Sequence, residues 1–159
     1  DTCPIDIKDS KLLSESQREK LALQIKNYAL GWEIVFVDHR RIDQAGLTQA
    51  TNFAFEQVIN IINPSPDYIL VDGFYIKNIS KAKQQAIVHG DRLVASIAAA
   101  SILAKVERDR FMRNLHQSCK EYGFMQNKGY GTSLHQDAIN SLGLSKWHRK
   151  TYRLSGQGS

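Results

Sequence analysis

The most continuous apolar segment of the chain lies in its second half. Apolar residues occupy nearly every position of residues 93–104, and only Ser96 and Ser101 interrupt them. The segment continues without Gly or Pro for about five turns, which predicts a helix over residues 91–110 that ends in charged residues. Because almost every face of this helix is apolar, we expect it to be buried.

Three shorter segments repeat apolar residues at the spacing of an α-helix. Ser14 and Gln17 have the spacing of a capping box, which predicts a helix from Ser14 to about residue 28. A second helix is expected over residues 48–62. A third begins at Ser133 and ends at Gly143, because glycine is the residue that most often follows a helix.

Two runs lack the helical repeat and are rich in β-branched and aromatic residues: residues 32–39 and 67–73. Both are apolar without alternation, which predicts strands that lie inside a sheet, the second buried on both faces. A short further strand is expected at residues 86–88. The succession of helices and strands predicts an α/β domain.

Length and composition are those of one globular domain, with 159 residues, 42% hydrophobic and 23% charged. We expect it to cover residues 1–152, followed by a disordered tail at residues 153–159. The net charge of +5 favours a polyanionic partner without choosing among nucleic acid, membrane surface and acidic protein. With two cysteines, no signal peptide and no apolar run long enough for a membrane span, we expect a cytoplasmic protein that does not bind membranes.

Two aspartates are candidates for metal binding. Asp72 follows a predicted strand, and ligands of open α/β sheets bind beyond the carboxyl ends of strands. Asp91 stands at the head of the long predicted helix. Each also has a purely structural interpretation, since Asp72-Gly73 suits a turn and Asp91 suits an N-cap. Together they could hold a hard cation such as Mg²⁺ or Mn²⁺, which prefer oxygen ligands.

Two other kinds of site are disfavoured. His116 and Cys119 have the spacing of half a zinc site, but no second pair follows at such a spacing. The glycine-rich segment KGYGT lacks the GKS or GKT ending of a P-loop.

Several motifs of this chain resemble those of the type 2 ribonuclease H family. The segment GDRLVASIAAASILAKVERDR is similar to the family's GD followed by SIAAASI.AK..RD. Further matches occur in family order in DSKLLSESQRE, RIDQAGLTQATNFAF, YILVDG, NKGYGTSLH and GLSKWHRKTY. The resemblance implies a ribonuclease H fold, with a mixed central sheet flanked by helices. It also implies a Mg²⁺- or Mn²⁺-dependent endonuclease that cuts RNA/DNA hybrids and 5′ of ribonucleotides in duplex DNA, leaving 3′-hydroxyl and 5′-phosphate ends.

The resemblance also implies roles for individual residues. Family members hold metals with an Asp, a Glu and two further Asp residues, and Asp72 and Asp91 match the last two. Tyr130 matches the aromatic residue that stacks at the junction of RNA and DNA, although packing in the core is an alternative. The other candidate nucleic-acid contacts are Ser10, Lys11, Lys128 and Arg149.

Some of these assignments stay open in the sequence. A lysine such as Lys128 is often only solvated. Ser101 and Lys105 are expected near the site, although Ser101 also suits close packing. His148 and Arg149 either contact phosphate or close the C-terminal segment onto the body of the protein.

The sequence departs from the family pattern at one place. The family's first Asp and Glu lie in a DEAGRG-like motif on its first strand, and this sequence has no such motif. We therefore expect an N-terminally incomplete domain that lacks half of the metal ligands and leaves a sheet edge unpaired. Alternatives to an active enzyme are an impaired fragment that only binds nucleic acid and one that needs its missing strand. The complete protein is expected to be a monomer.

Overall fold

The computed structural model describes residues 13–151. In this range seven helices and two strands form. The helices are α1 (Glu15–Tyr28), α2 (His39–Ala45), α3 (Leu47–Ile61), α4 (Gly90–Leu93), α5 (Ala95–Ser118), α6 (Phe124–Asn127) and α7 (Ser133–Leu142). The strands are β1 (Ile69–Asp72) and β2 (Gln84–Ile87). The expected tail at residues 153–159 lies outside the described residues.

Internal contacts divide the chain into two compact units. Among the described residues, the first comprises those from 13 to 36 together with Thr51–Val106, and the second comprises Val37–Ala50 together with residues 107–151. The expectation of a single domain over residues 1–152 stays a prediction.

The core of the first unit forms between α1 and α5. Its buried apolar side chains are Leu21, Ala22, Ile25, Ala98, Ile102, Leu103 and Val106. The predicted capping box of α1 is confirmed, since the side chains of Ser14 and Gln17 each accept a hydrogen bond from the other residue's backbone N–H. The start of α1 is thus set by its own sequence, and its apolar face is set by its period.

The sheet of the first unit consists of β1 and β2, paired in parallel with Asp72 opposite Ile87. The connection between the strands is folded around the buried side chain of Gln84, which is 2% exposed. Its Oε1 accepts from the Ile76 N–H at 2.8 Å, and its Nε2 donates to the carbonyls of Ile76 and Ile79 at 2.9 and 2.6 Å. One amide thereby satisfies three backbone groups of the connection.

Two strand predictions are corrected. Residues 32–38 form no strand, and α2 begins at His39. A strand exists only with a hydrogen-bonded neighbour, and among residues 13–151 the ladder is formed by β1 and β2 alone. Strand β1 is not buried on both faces, because Val71 is 1% exposed whereas Leu70 is 36% exposed.

The long apolar helix is also corrected. It is divided at Val94, whose φ of −129° and ψ of 119° are extended, into α4 and α5. The break lets Ile97 pack against Gly90, where a Cβ would lie 2.6 Å from Ile97 Cδ1. One face of α5 is exposed rather than buried, and its small side chains are Ala95, Ser96, Ala100, Ser101 and Ala104.

The second unit has its own core of Tyr122, Phe124 and Ile139, with Met112, Leu115, Cys119 and Ala138 packed against it. The predicted helix from Ser133 to Gly143 is confirmed as α7. Thr132 caps its start through a bond from the His135 N–H, and Gly143 follows its end with a φ of 78°. The Tyr122 hydroxyl donates to the Gly143 carbonyl at 3.0 Å, which attaches the end of α7 to the core.

The buried amide of Gln84 gives a stability prediction. In Gln84→Glu, a carboxylate cannot donate to the carbonyls of Ile76 and Ile79, so we expect a loss of roughly 3 kcal/mol in the free energy of unfolding. Urea denaturation measures the loss. The matched control is Gln85→Glu, at the exposed neighbouring position of β2. Equal stabilities of the two variants would contradict the role of Gln84.

Candidate metal centre and nucleic-acid interface

Asp72 and Asp91 are brought to the same end of the parallel strand pair. Asp72 is the last residue of β1, and the chain leaves β2 to enter α4 after only two residues. The Gly90 N–H donates to Asp72 Oδ1 at 2.9 Å, and Asp91 is the next residue. The Gly73 N–H also donates to the Ile87 carbonyl at 3.0 Å, which extends the ladder beyond Asp72. The expectation that a carboxylate at a strand end and one at a helix head converge on one cation stays a prediction.

The chemistry of this aspartate pair suits a hard divalent cation. Asp72 is exposed and Asp91 is half-buried, so the pair is accessible from solvent. The hydrogen bond from Gly90 orients the Asp72 carboxylate and engages one of its two oxygens. Within the described range, no group of three or more His, Cys, Asp or Glu side chains is placed to hold a metal ion. The pair therefore fits part of an oxygen coordination shell, of a kind that water commonly completes around Mg²⁺.

The segment KGYGT forms a loop with a fixed backbone between α6 and α7. Asn127 is buried, and its side chain donates to the Tyr122 carbonyl at 2.7 Å and accepts from the Gly129 N–H at 2.8 Å. Lys128 and Gly129 both have left-handed backbones, with φ of 50° and 77°. The φ of Gly129 favours glycine, and a Cβ there would lie 3.0 Å from Met112 Cε, so a larger residue would also require the Met112 side chain to shift.

Tyr130 projects from this loop with 53% of its surface exposed. This exposure contradicts the alternative in which Tyr130 packs in the core. The guanidinium of Arg108 lies 4.5 Å from the centre of the Tyr130 ring, a cation–π distance. Arg108 Nη1 is buried and has no hydrogen-bond partner among the residues the structure describes.

Sequence reasoning missed the contact between Arg108 and Tyr130. It assigned Arg108 only to the charged end of the long helix. The available signal was the placement of an arginine within the RD motif of α5, but sequence spacing alone does not bring residues 108 and 130 together.

The remaining candidates have different surroundings. Lys128 is half-buried, whereas Ser101 is exposed, so a packing role for Ser101 is not supported. His148 is half-buried and packs against the rings of Tyr122 and Phe124. This position agrees with closure of the C-terminal segment. Ser10 and Lys11 lie outside the described residues.

Arg149 precedes a turn that Asp43 holds by three hydrogen bonds. The backbone N–H groups of Lys150 and Thr151 donate to Asp43 Oδ2 and Oδ1 at 2.9 and 3.0 Å, and the Thr151 hydroxyl donates to Oδ1 at 2.6 Å. The hydroxyl of Thr151, followed by the two backbone N–H groups, lowers the pKa of Asp43 from 3.8 to about 2. The ionised carboxylate therefore fixes the backbone next to Arg149.

Comparison with known proteins first defines the class of fold. The structure resembles the crystal structure of ribonuclease H2 from Pyrococcus horikoshii with a TM-score of 0.71. The match covers 94% of this chain and 78% of that chain, at 22% identity. The expected α/β fold of the ribonuclease H type is confirmed.

Sequence comparison then identifies the family. The ribonuclease HII family model matches residues 4–157. Ribonuclease HII of Chloroherpeton thalassium is 43% identical over 96% of this chain and 74% of its own length, and that of Ruminiclostridium cellulolyticum is 46% identical over 92% and 57%. This chain belongs to the ribonuclease HII family, as its motifs predicted. It spans 57% to 74% of the length of these two relatives. No described helix is long and apolar enough to cross a membrane.

The three hydrogen bonds that Asp43 accepts from Lys150 and Thr151, here called the Asp43 clamp, predict a pH dependence of stability. Because the pKa of Asp43 is lowered on folding, its contribution is complete above the ordinary value of 3.8 and is lost as the pH falls towards about 2. Asp43→Asn should lower stability at neutral pH and flatten the acid side of the stability profile. Urea unfolding between pH 7 and pH 2 measures both effects. Asp137→Asn, at an exposed position of α7, is the control, and the same profile in both variants would contradict the clamp.

Proposed function

We propose that this protein is a metal-dependent endonuclease. It cuts the RNA strand of RNA/DNA hybrids and cuts 5′ of a ribonucleotide embedded in duplex DNA. The observation that carries this proposal is the aspartate pair at the end of β1, where the Gly90 N–H binds Asp72 and Asp91 follows directly, in a chain of the ribonuclease HII family. The net charge of +5 suits a nucleic-acid substrate.

Asp72 and Asp91 are the residues that would hold Mg²⁺ or Mn²⁺. When bound, such ions supply a nucleophile from water at neutral pH and stabilise the leaving oxygen of an in-line displacement. The protein's contribution is orientation, since the Gly90 N–H keeps the Asp72 carboxylate at the strand end. Hydrolysis of this kind leaves 3′-hydroxyl and 5′-phosphate ends.

Recognition of the ribonucleotide is assigned to Tyr130. Its ring is exposed enough to stack on a nucleotide, and a hydroxyl near the sugar can bond the 2′-oxygen that DNA lacks. Lys128 and Arg149 belong to the same unit as Tyr130 and would contact phosphates, and we assign the same role to Ser10 and Lys11. The protein would act as a monomer in the cytoplasm.

A second candidate is a module that binds the same nucleic acids without cutting them, or that cuts only with a further segment. The observation that favours it is the small ligand set, because the described residues supply no group of three metal-binding side chains. Two carboxylates neutralise only part of the charge of two divalent ions.

Cleavage of duplex DNA that contains one ribonucleotide tests the proposal. With Mg²⁺ or Mn²⁺, we expect a nick on the 5′ side of the ribonucleotide, and we expect Asp91→Asn to abolish it because an amide is a weaker ligand than a carboxylate. Asp67→Asn, at an exposed position before β1, should cut like the parent protein. An Asp91→Asn variant with undiminished cleavage would remove Asp91 from the site. Binding without any nick in the parent protein would favour the second candidate.

Replacement of Tyr130 tests the assignment of sugar recognition. We expect Tyr130→Ala to reduce the preference for ribonucleotide-containing over all-DNA duplex by about tenfold, the loss of the hydrogen bond between the Tyr130 hydroxyl and the 2′-oxygen. Fluorescence anisotropy with the two duplexes measures the preference. Tyr75→Ala is the control, since Tyr75 is 47% exposed and belongs to the other unit. Equal losses on both duplexes in Tyr130→Ala would mean that Tyr130 does not read the sugar.

A further inference from the structure

A buried histidine on α7 holds the backbone of Tyr130. His135 is only 5% exposed, and its Nδ1 lies 2.9 Å from the carbonyl oxygen of Tyr130. Its other ring nitrogen, Nε2, lies 3.0 Å from Nε2 of His148. A carbonyl oxygen only accepts, so the hydrogen between His135 and Tyr130 belongs to His135 Nδ1.

The tautomers of both histidines follow from a third contact. The backbone N–H of Ser145 points at His148 Nδ1 from 2.9 Å, so His148 Nδ1 has to accept. A neutral His148 therefore carries its hydrogen on Nε2 and donates it to His135 Nε2. His135 then carries its own hydrogen on Nδ1, as the Tyr130 carbonyl requires. The three hydrogen bonds therefore point in one direction, from the Ser145 N–H through both imidazoles to the Tyr130 carbonyl. Each of these bonds has one donor and one acceptor.

The packing around the two imidazoles favours their neutral forms. The rings of Tyr122 and Phe124 lie 4.9 and 5.6 Å from the ring of His148, and Phe124 also packs edge-on to His135. Burial is the largest cause that lowers the pKa of His148 below 6.5, followed by the neighbouring His135 and, more weakly, by His39. The Tyr122 hydroxyl is engaged by the Gly143 carbonyl, and the Ser145 hydroxyl lies 2.7 Å from His148 Nδ1.

We propose that His135 is a positioning residue for Tyr130 and that His148 fixes the tautomer in which His135 can act. The pair holds the loop backbone so that the Tyr130 side chain meets the ribose in one orientation. This assignment rests on the proposed role of Tyr130 in recognising a ribonucleotide. The proposal adds His135 and His148 to the residues that contribute to recognition, although neither would contact the metal ligands or the substrate.

Protonation of the pair has a defined consequence. An added proton places an N–H of His148 against the Ser145 N–H, or places two N–H groups between the rings. The first arrangement breaks the bond from Ser145, and the second breaks the bond between the two rings. Because the pKa of His148 is lowered on folding, the arrangement is complete above pH 6.5 and is lost as the pH falls through the folded-state value. Sugar discrimination should fall over the same range.

Nitrogen-15 NMR of the histidine side chains tests the geometry without any substrate. At pH 7.5 we expect a hydrogen on Nδ1 of His135 and on Nε2 of His148, with both rings neutral. The opposite tautomer in either ring, or a charged ring at that pH, would overturn the proposal. The carbonyl carbon shift of Tyr130 should change with pH together with the His148 ring signals.

Variants of His135 and His148 test whether the two residues contribute to sugar recognition. The measured quantity is the preference for ribonucleotide-containing over all-DNA duplex. His135→Ala should reduce the preference about fivefold, the equivalent of one net hydrogen bond, and His135→Asn should restore part of it by keeping a donor near the Tyr130 carbonyl. His148→Asn keeps an acceptor for the Ser145 N–H but does not titrate, so its preference should depend on pH less than the parent's between 7 and 5.

The matched control is Gln136→Ala, at the next position of α7. Gln136 donates to the Gly131 carbonyl of the same loop at 3.0 Å but is outside the histidine chain. We expect it to retain the parent's pH dependence and most of its preference. Equal effects of His135→Ala and Gln136→Ala, or a His148→Asn preference that depends on pH as strongly as the parent's, would overturn the positioning role. If the parent itself does not discriminate, the proposed function fails, whereas the NMR tautomers decide the histidine assignment separately.

Discussion

The hydrogen bond from the Gly90 N–H to the Asp72 carboxylate is the interaction on which the first unit's chemistry depends. It joins the end of β1 to the start of α4, two points that lie 18 residues apart in sequence. The parallel pairing of β1 with β2 makes this bond possible, because it places the C-terminal ends of both strands at the same end of the sheet. The buried amide of Gln84 holds the intervening connection, so that the strand ends have little freedom to separate.

In the second unit, side chains that bind backbone groups likewise hold a candidate site residue in place. Asn127 fixes the start of the KGYGT loop, and the bond from His135 fixes the backbone of Tyr130 within it. The cation–π contact from Arg108 adds a restraint on the Tyr130 ring itself. A loop with two successive left-handed residues would otherwise sample many conformations, so the restraints give one exposed tyrosine a defined direction.

Features set by local sequence were predicted well, and features set by distant partners were not. The capping box at Ser14 and the glycine that follows α7 depend on residues a few positions apart, and both were correct. The strand expected at residues 32–39 needs a neighbour, which no local pattern reveals. The break at Val94, which lets Ile97 pack against Gly90, is likewise not visible in the run of apolar residues. In the candidate site, Asp72 and Asp91 were found from their places at element ends and from family motifs, whereas Arg108 became visible only in the structure.

The clamp made by Asp43 has a consequence for how the protein forms during synthesis. Its partners, Lys150 and Thr151, follow it by 107 and 108 residues. On the ribosome, α2 emerges long before the turn that it will hold, and the whole first unit after Thr51 is made in the interval. Closing so long a loop carries an entropic cost that local contacts do not. The second unit therefore cannot be completed until that turn has been synthesised and released, by which time every residue of the first unit has already been made.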